Sequence, residues 1–350
     1  MNEFSSLKAA WHIERIADLR AGKDIIPTHV QIILSDLCNQ NCGDWCAYRA
    51  PDGFSTENFA DEDGNKNPNR MIPTAKAKEI LDDCAALGVE AIEFTGGGEP
   101  TVHPDCFEII EYAQNLGLDT GLVTNGVRLK DHPSVHRLKW LRVSLDAGTP
   151  ETYEKIRESK AWPKVMKNLK MIGGFTGEKP YIGIGFVIMR DNYKELAMAC
   201  QIVKDAGIPY IRLSALFSTK GDLYYVGVED QINSAREEAK KLEDANFKLV
   251  DFFSARIGDL RQHSPDYKFC GEQQFVLYVG GDQKVYRCCT TSYTKHGEIG
   301  DLKEQRFSEW IKSYRRYDFD ARSCHTCQFN ITNKTVNYML DPKPDHVGFV

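Results

Sequence analysis

No run of about 18 apolar residues occurs in the chain, and its opening lacks the short apolar core of a secretory signal. Neither a membrane-spanning helix nor export is therefore expected, which places the chain in a reducing cytoplasm. Positive charge is also scarce: 44 Lys plus Arg stand against 50 Asp plus Glu, a net charge of −6. That balance argues against a surface built for broad phosphate contact. The stretch KSYRRYDFDAR (312–322) mixes basic and aromatic residues as a nucleic-acid face would, although a solvated face is the plainer reading. No repeat, low-complexity tract, Ser/His/Asp set, phosphate-binding loop or dinucleotide fingerprint is present. What the chain has in quantity is cysteine, eleven in 350 residues. In a reducing compartment clustered cysteines read as metal ligands or catalytic thiols rather than disulfides.

The first two thirds alternate short β-branched or apolar runs with helical patterns. Strands are expected at 28–35, 91–97, 118–126, 141–147, 181–189 and 209–217. Between them TAKAKEILDDCAALG, DCFEIIEYAQNLG, AWPKVMKNLKMIGG and YKELAMACQIVKDAG carry apolar residues at helical spacing and end at glycine. Such a βα series makes a parallel sheet or barrel whose working groups sit at the carboxyl ends of the strands. Residues 1–27 read as an N-terminal helix on the outside of the barrel, 28–220 as the barrel, 221–263 as a helical connector, and 264–350 as a separate domain with hairpin chemistry around VGGDQKV. The polar stretch 53–70 reads as a surface insertion, a candidate flap over the site. Cys84, Cys106 and Cys200 fall within expected helices as small core residues, and His103 and His325 read as structural.

LSDLCNQNCGDWCAYRA (34–50) places Cys38, Cys42 and Cys46 on one loop after the first strand. Three thiolates leave one iron of a cubane cluster open to an outside ligand. Zinc with a water, or inert buried thiols, are the alternatives.

The run FTGGGEP (94–100) at the end of the second strand weighs between them. Together with the triad it resembles the radical S-adenosylmethionine (SAM) superfamily. The resemblance implies a partial (β/α)6 parallel barrel in which Cys38, Cys42 and Cys46 bind a [4Fe–4S] cluster whose fourth position takes S-adenosylmethionine. Gly96, Gly97, Gly98, Glu99 and Pro100 would lie along the methionine end of that cofactor, where a Cβ would obstruct backbone approach. The triad is spaced C-x3-C-x3-C, one residue longer than the usual C-x3-C-x2-C; Trp45 keeps the aromatic place, and Gly43 or Asp44 is the residue expected to bulge. By the same likeness Asn125 in VTNG, Ser144 and Asp146 in VSLDAGTPETYEKIR, Arg157 downstream and Met189 in FVIMRDN would line the cofactor. Their plainer readings are a turn hydroxyl for Ser144, a helix cap for Asp146 and a solvated charge for Arg157.

The tail resembles the twitch form of the SPASM auxiliary domain, a small α+β iron–sulfur unit. That implies a second [4Fe–4S] cluster closed by Cys270, Cys288, Cys324 and Cys327, with Cys289 able to exchange with Cys288 or to act as a hydrogen donor; a zinc ribbon is the rival. The family chemistry implied is reductive cleavage of S-adenosylmethionine to a 5′-deoxyadenosyl radical, which takes hydrogen from an unactivated C–H bond. Dehydrogenation, bond formation, isomerisation or epimerisation could follow, placing the chain among oxidoreductases or isomerases. An external donor such as flavodoxin or ferredoxin would supply the electron. With about 27 residues before the barrel, a small molecule or a peptide delivered by another protein is the expected substrate. Radical modification of a nucleic-acid base, and a noncatalytic iron–sulfur or zinc protein that binds a partner, are the alternatives.

Overall fold

The structure, a computed structural model, describes residues 4–262, 264–314 and 318–341. Arg315, Arg316 and Tyr317 of the basic stretch and the last nine residues of the expected second domain lie outside the described residues. After a 3-10 turn at Lys8–Trp11, the order is α1 (Ile13–Arg20), β1 (His29–Ile33), α2 (Thr74–Leu87), β2 (Ala91–Thr95), α3 (Cys106–Asn115), β3 (Asp119–Thr124), α4 (Pro133–His136) and β4 (Trp140–Ser144). Then come α5 (Pro150–Arg157), α6 (Trp162–Gly173), β5 (Tyr181–Ile188), α7 (Leu196–Asp205), β6 (Tyr210–Ala215), α8 (Glu229–Lys240), β7 (Lys248–Asp251) and α9 (Phe253–Arg261). The C-terminal part adds α10 (Glu272–Phe275), β8 (Val276–Val279), β9 (Lys284–Tyr286), β10 (Glu298–Asp301), α11 (Phe307–Ser313) and α12 (Asn330–Leu340).

One ten-stranded sheet runs in the order β10-β9-β8-β1-β2-β3-β4-β5-β6-β7. From β8 to β7 every pairing is parallel, and only β8–β9 and β9–β10 are antiparallel. Strand alternation sorts the side chains. Val30, Ile32, Ile92, Phe94, Leu122, Leu141, Val143, Ile184 and Leu213 enter the main apolar core with helix residues such as Ile80, Ile109, Ile110, Leu169 and Val203. By the period of two, Gln31, Glu93, Arg142, Ser144, Arg212 and Ser214 then face the other side, the concave interior of the arc.

The fold is the expected mixed α/β arrangement built on a large parallel sheet, but its parallel part is wider than the six strands read from sequence. The connector 221–263 is not purely helical: it contributes β7, which extends the sheet beside β6. β7 is only four residues long and has no fully buried side chain, so its apolar signal is weak. The hairpin strand β8 joins the parallel array beside β1, so the C-terminal segment continues the same sheet. The N-terminal helix packs mainly against the C-terminal part of the chain. Ile16 and Leu19 of α1 pack with Phe275 and Val336, in contact with α12. Arg15 pairs with Glu90 at 2.8 Å.

The insertion 53–70 is held down rather than left as a flap. Phe59 is fully buried among Tyr48, Tyr286 and Tyr293, and Asn58 N donates to Tyr293 O at 2.8 Å. Arg70 Nε donates to the buried Asp36 carboxylate at 2.8 Å. The polar composition concealed this because most of the anchoring contacts are made by polar residues, with Phe59 as the fully buried apolar one.

Candidate active site and cluster-binding sites

The triad loop leaves β1 and is fixed from several sides. Asn67 accepts from Cys38 N at 2.9 Å and donates to Cys38 O at 3.1 Å. The buried Arg49 guanidinium donates to Gln40 O at 3.0 Å and Asn67 Oδ1 at 2.8 Å, and also reaches Asp36 O. The extra residue of the spacing is absorbed where glycine permits it. Gly43 has φ +34°, opens a 3-10 turn through Trp45, and a Cβ there would stand 2.7 Å from Glu158 Oε1. Burial raises the Cys38 thiol to about 11, with the Glu99 charge adding to the rise and Arg49 opposing it. Cys46 is raised by burial and by Cys42, again against Arg49. Metal binding at such thiols must displace their protons, and Arg49 is the cation placed to favour the thiolates.

The glycine run serves the loop directly. A Cβ on Gly98 would lie 2.3 Å from the carbonyl oxygens of both Asp36 and Leu37, and one on Gly97 would lie 2.8 Å from Phe59 and 3.2 Å from Asp36 Oδ1. Gly98 N donates to Ser35 O and Glu99 N to Leu37 O, at 3.1 and 3.0 Å. The chain's own cysteine loop thus occupies the space a side chain would take at Gly98, and Phe59, Asp36 and Tyr293 close in on that at Gly97, a reason for glycine that differs from the cofactor approach inferred from sequence. Glu99 is nearly fully buried and faces protein donors: Thr101 N and Oγ1, Thr124 Oγ1, and Asn125 N at 2.7 Å. It ties the end of β2 to the end of β3, and Pro100 starts the 3-10 turn that follows. Asn125 Nδ2 reaches Asn39 Oδ1 at 2.7 Å and Cys38 Sγ at 3.9 Å.

Asp146 and Arg157 form a buried pair at 2.5 Å. Asp146 has φ +57°, and its other oxygen accepts from Val187 N at 2.7 Å. Burial raises this carboxyl and Arg157 opposes the rise. Asp146 is therefore neither a helix cap nor free, and Arg157 is not a solvated charge. Arg157 Nη1 approaches Cys42 Sγ at 3.7 Å, while its buried Nε has no hydrogen-bond partner. Ser144 ends β4 opposite Gly185, and Met189 is buried just after β5. Trp45 borders a small cleft with Cys46, Leu216, Phe217, Ser218 and Tyr224. The triad, the glycine run, Asn125, the Asp146–Arg157 pair and Trp45 therefore meet around one loop at the carboxyl ends of the strands.

At the second site Cys270, Cys288, Cys324 and Cys327 line one cavity, walled by Tyr267, Phe319, Ala321, Phe329 and other residues. Four thiols around a mostly apolar hollow match the donor set of a closed cubane. Burial raises Cys270 and Cys327, and it raises Cys324 to about 11. Among the described residues no three Cys, His, Asp or Glu side chains converge tightly enough to hold a single metal ion. Cys289 is not part of the cavity lining. It packs against the Phe59–Tyr293 cluster, receives a hydrogen bond from Gln328 Nε2 at 2.6 Å, and is lowered to about 7, chiefly by the hydrogen bond from Cys288.

Sequence reasoning missed Arg49, Asn67, Gln328 and the Asp36–Arg70–Tyr293 network. In that network Tyr293 Oη donates to Asp36, two residues before the triad, and Gly281 N donates to Tyr293 Oη at 2.9 Å. No motif marks these residues. Burial of a charged side chain three positions after Cys46 is a property of the fold, not of the local pattern.

Residues 32–203 match the family described as "Radical SAM superfamily". Among curated relatives, the mycofactocin maturase MftC of Mycobacterium tuberculosis is 30% identical over 139 residues, 38% of this chain and 34% of that protein, so the match spans about a third of the relative's length. A tungsten-containing aldehyde ferredoxin oxidoreductase cofactor-modifying protein of Pyrococcus furiosus is 25% identical over 299 residues, 77% of this chain and 81% of that one. Among solved structures, Streptococcus suis SuiB bound to precursor peptide SuiA superposes with a TM-score of 0.60 at 14% identity, over 88% of this chain and 71% of that chain. Native anSMEcpe with bound AdoMet does so with a TM-score of 0.57 at 16% identity, over 90% and 85%. No helix among the described residues is long and apolar enough to cross a membrane. With a family match that runs from β1 to α7 and takes in the cysteine triad and the glycine run, residues 32–203 of the chain form a domain of the radical SAM superfamily.

Proposed function

We propose that this chain is a two-cluster radical enzyme acting on a small molecule or a peptide. Cys38, Cys42 and Cys46 would hold the [4Fe–4S] cluster that receives S-adenosylmethionine, and Cys270, Cys288, Cys324 and Cys327 a second, closed one. With S-adenosylmethionine, the first cluster supplies one-electron reductive cleavage of the sulfonium and, through it, hydrogen abstraction from an unactivated C–H bond. The observation that carries this reading is the pairing of an incomplete triad fixed on the glycine run with four thiols around a separate cavity. A cubane presents a separate iron to each thiolate, so the sulfurs need not converge as the ligands of one zinc do.

The chain's own contributions follow from its contacts. Arg49 and Asn67 hold the triad loop in place, Glu99 locks the neighbouring strand ends, and Asp146 orients Arg157 toward Cys42. Phe59, Tyr286 and Tyr293 form a buried aromatic cluster against which Tyr48, two residues after Cys46, and Cys289, one after Cys288, both pack. Cys289 lies against that cluster, next to a proposed ligand, where it could return a hydrogen atom to substrate. The precursor peptide bound by SuiB and the cofactor-modifying role named for the Pyrococcus protein support both substrate classes, and an external flavodoxin or ferredoxin would bring the electron.

Iron counting after anaerobic reconstitution tests the assignment. About eight irons are expected in the wild type and about four after joint replacement of Cys38, Cys42 and Cys46 by alanine. Cys288→Ala should fall toward about four, and Cys289→Ala should stay near eight. With dithionite and S-adenosylmethionine the wild type should release 5′-deoxyadenosine. A fully iron-loaded wild type that binds no S-adenosylmethionine and releases none would refute the enzymatic reading.

A further inference from the structure

The concave interior carries a positive charge that nothing among the described residues balances. Arg142 and Arg212 lie on the inner sides of β4 and β6, while their neighbours Leu141, Val143, Ile211 and Leu213 fill the core under the helices. Neither guanidinium has a carboxylate within ion-pair distance among the described residues. Arg212 Nε is buried with no hydrogen-bond partner. Arg142 rests over the Trp140 ring at 5.5 Å and Arg212 over Phe252 at 4.9 Å, contacts that orient a guanidinium without neutralising it.

The groups facing Arg212 are Arg142, Arg256, Tyr210 and Glu93; burial and the two arginines hold it down to about 9. Arg256 is already paired, with Asp259 at 3.0 Å. Glu93 is the acid on which both free arginines act, against a burial that raises its carboxyl; of its other neighbours, His29, at 3.7 Å, is held by burial to about 4 and is neutral at physiological pH, and the Cys289 thiol also feels its charge. Two arginines against one glutamate leave the interior with about one excess positive charge. A buried cation without a partner destabilises a fold, and such groups persist where a ligand completes them.

We propose that Arg142 and Arg212 receive a carboxylate of the substrate. This rests on reading the interior as the substrate side of a radical enzyme. A planar carboxylate matches the two-pronged guanidinium, and its single charge matches the single excess. A phosphate dianion would overshoot that excess. In register, Arg142 lies two residues before the end of β4 and Arg212 stands beside Gly185, so both sit below the strand ends that carry the cysteine loop. A free amino acid and a peptide C-terminus both present this group.

The test is ligand-observed NMR on the reconstituted chain saturated with S-adenosylmethionine, using N-acetylalanine, its amide, alanine and inorganic phosphate as probes. The acid should bind at least about tenfold more tightly than the amide and more tightly than phosphate. Alanine binding as well as N-acetylalanine indicates a free amino acid; N-acetylalanine binding better indicates a peptide terminus. Arg212→Met should erase the preference for acid over amide, and Arg212→Lys should weaken acid binding while keeping some preference. Without probe, Arg212→Met should melt no lower than wild type, because it removes an unpaired buried cation. Equal binding of acid and amide, tighter binding of phosphate, or a lower melting temperature for Arg212→Met overturns the proposal. So does a parallel loss of S-adenosylmethionine affinity in Arg212→Met, which would give the guanidinium to the cofactor's own carboxylate. A wild type that binds no S-adenosylmethionine but prefers acid to amide would defeat the radical-enzyme reading alone.

Discussion

Gly98→Ala separates two explanations of the glycine run. The new Cβ would stand 2.3 Å from the carbonyl oxygens of Asp36 and Leu37. Both obstacles are backbone, so no rotamer change relieves them and the cysteine loop must move. Overpacking of this kind costs about 1–3 kcal/mol. The displaced loop also strains the Gly98–Ser35 and Glu99–Leu37 hydrogen bonds, each contributing about 1 kcal/mol. The expected loss is about 3–5 kcal/mol. It would be read as a lowered urea midpoint by circular dichroism, together with a shortfall of iron at the triad after reconstitution. Gly258→Ala is the control: it lies inside α9 with nothing within 4 Å of the added atom, and alanine there should stabilise by about 0.5–1 kcal/mol. A Gly98→Ala protein with wild-type midpoint and iron content, weakened only toward S-adenosylmethionine, would refute the loop-seating argument and restore cofactor approach as the reason for glycine.

Phe59→Ala should destabilise by about 3–5 kcal/mol, the usual cost of emptying a fully buried phenylalanine site, and should open residues 53–70 to proteolysis; a variant as stable and resistant as wild type would show that the insertion is not anchored. For acid stability, His29 is held by burial to about 4 in the native state against an ordinary 6.5. As pH falls from 6.5 toward 4 the unfolded chain takes up a proton that the native chain refuses, so stability that is complete above this window is lost through it. His29→Gln should flatten the stability–pH slope over that range, and identical slopes would show that His29 does not carry it.

The βα series was legible because strand and helix periods are local properties. All six expected strands formed within a few residues of the positions read from sequence, and the family resemblance rested on TGGGEP and the triad, both contiguous. What the sequence hid depends on long-range partners. β7 has no alternating signal, β8 read as a hairpin strand and gave no hint of its parallel neighbour β1, and Phe59 is one of two aromatics in a stretch whose composition is otherwise polar. Asp146 and Arg157 were singled out by likeness, but their mutual ion pair requires the turn after β4 to face the end of α5, a relation that spacing alone does not give. Cys288 and Cys289 are adjacent, so only the cavity lining distinguishes them. Arg142 and Arg212 carried no motif; strand parity places them inside, and that parity becomes meaningful once the helices are known to cover the opposite face.

The pairing of β8 with β1 has a consequence for how the protein is made. His29 meets Val276 about 250 residues further along the chain. At translation rates of about 5–20 residues per second, the second partner emerges on the order of 10 to 50 s after the first. Throughout that interval the strand leading into the triad has one unpaired edge, the kind of edge that recruits stray chains. It also lacks Tyr293, the hydroxyl that later closes on Asp36 beside the cysteines. The nascent thiols thus face oxygen and aggregation before their supports exist. Expression that slows synthesis without slowing degradation should therefore lower the yield of iron-loaded protein more than the yield of total protein.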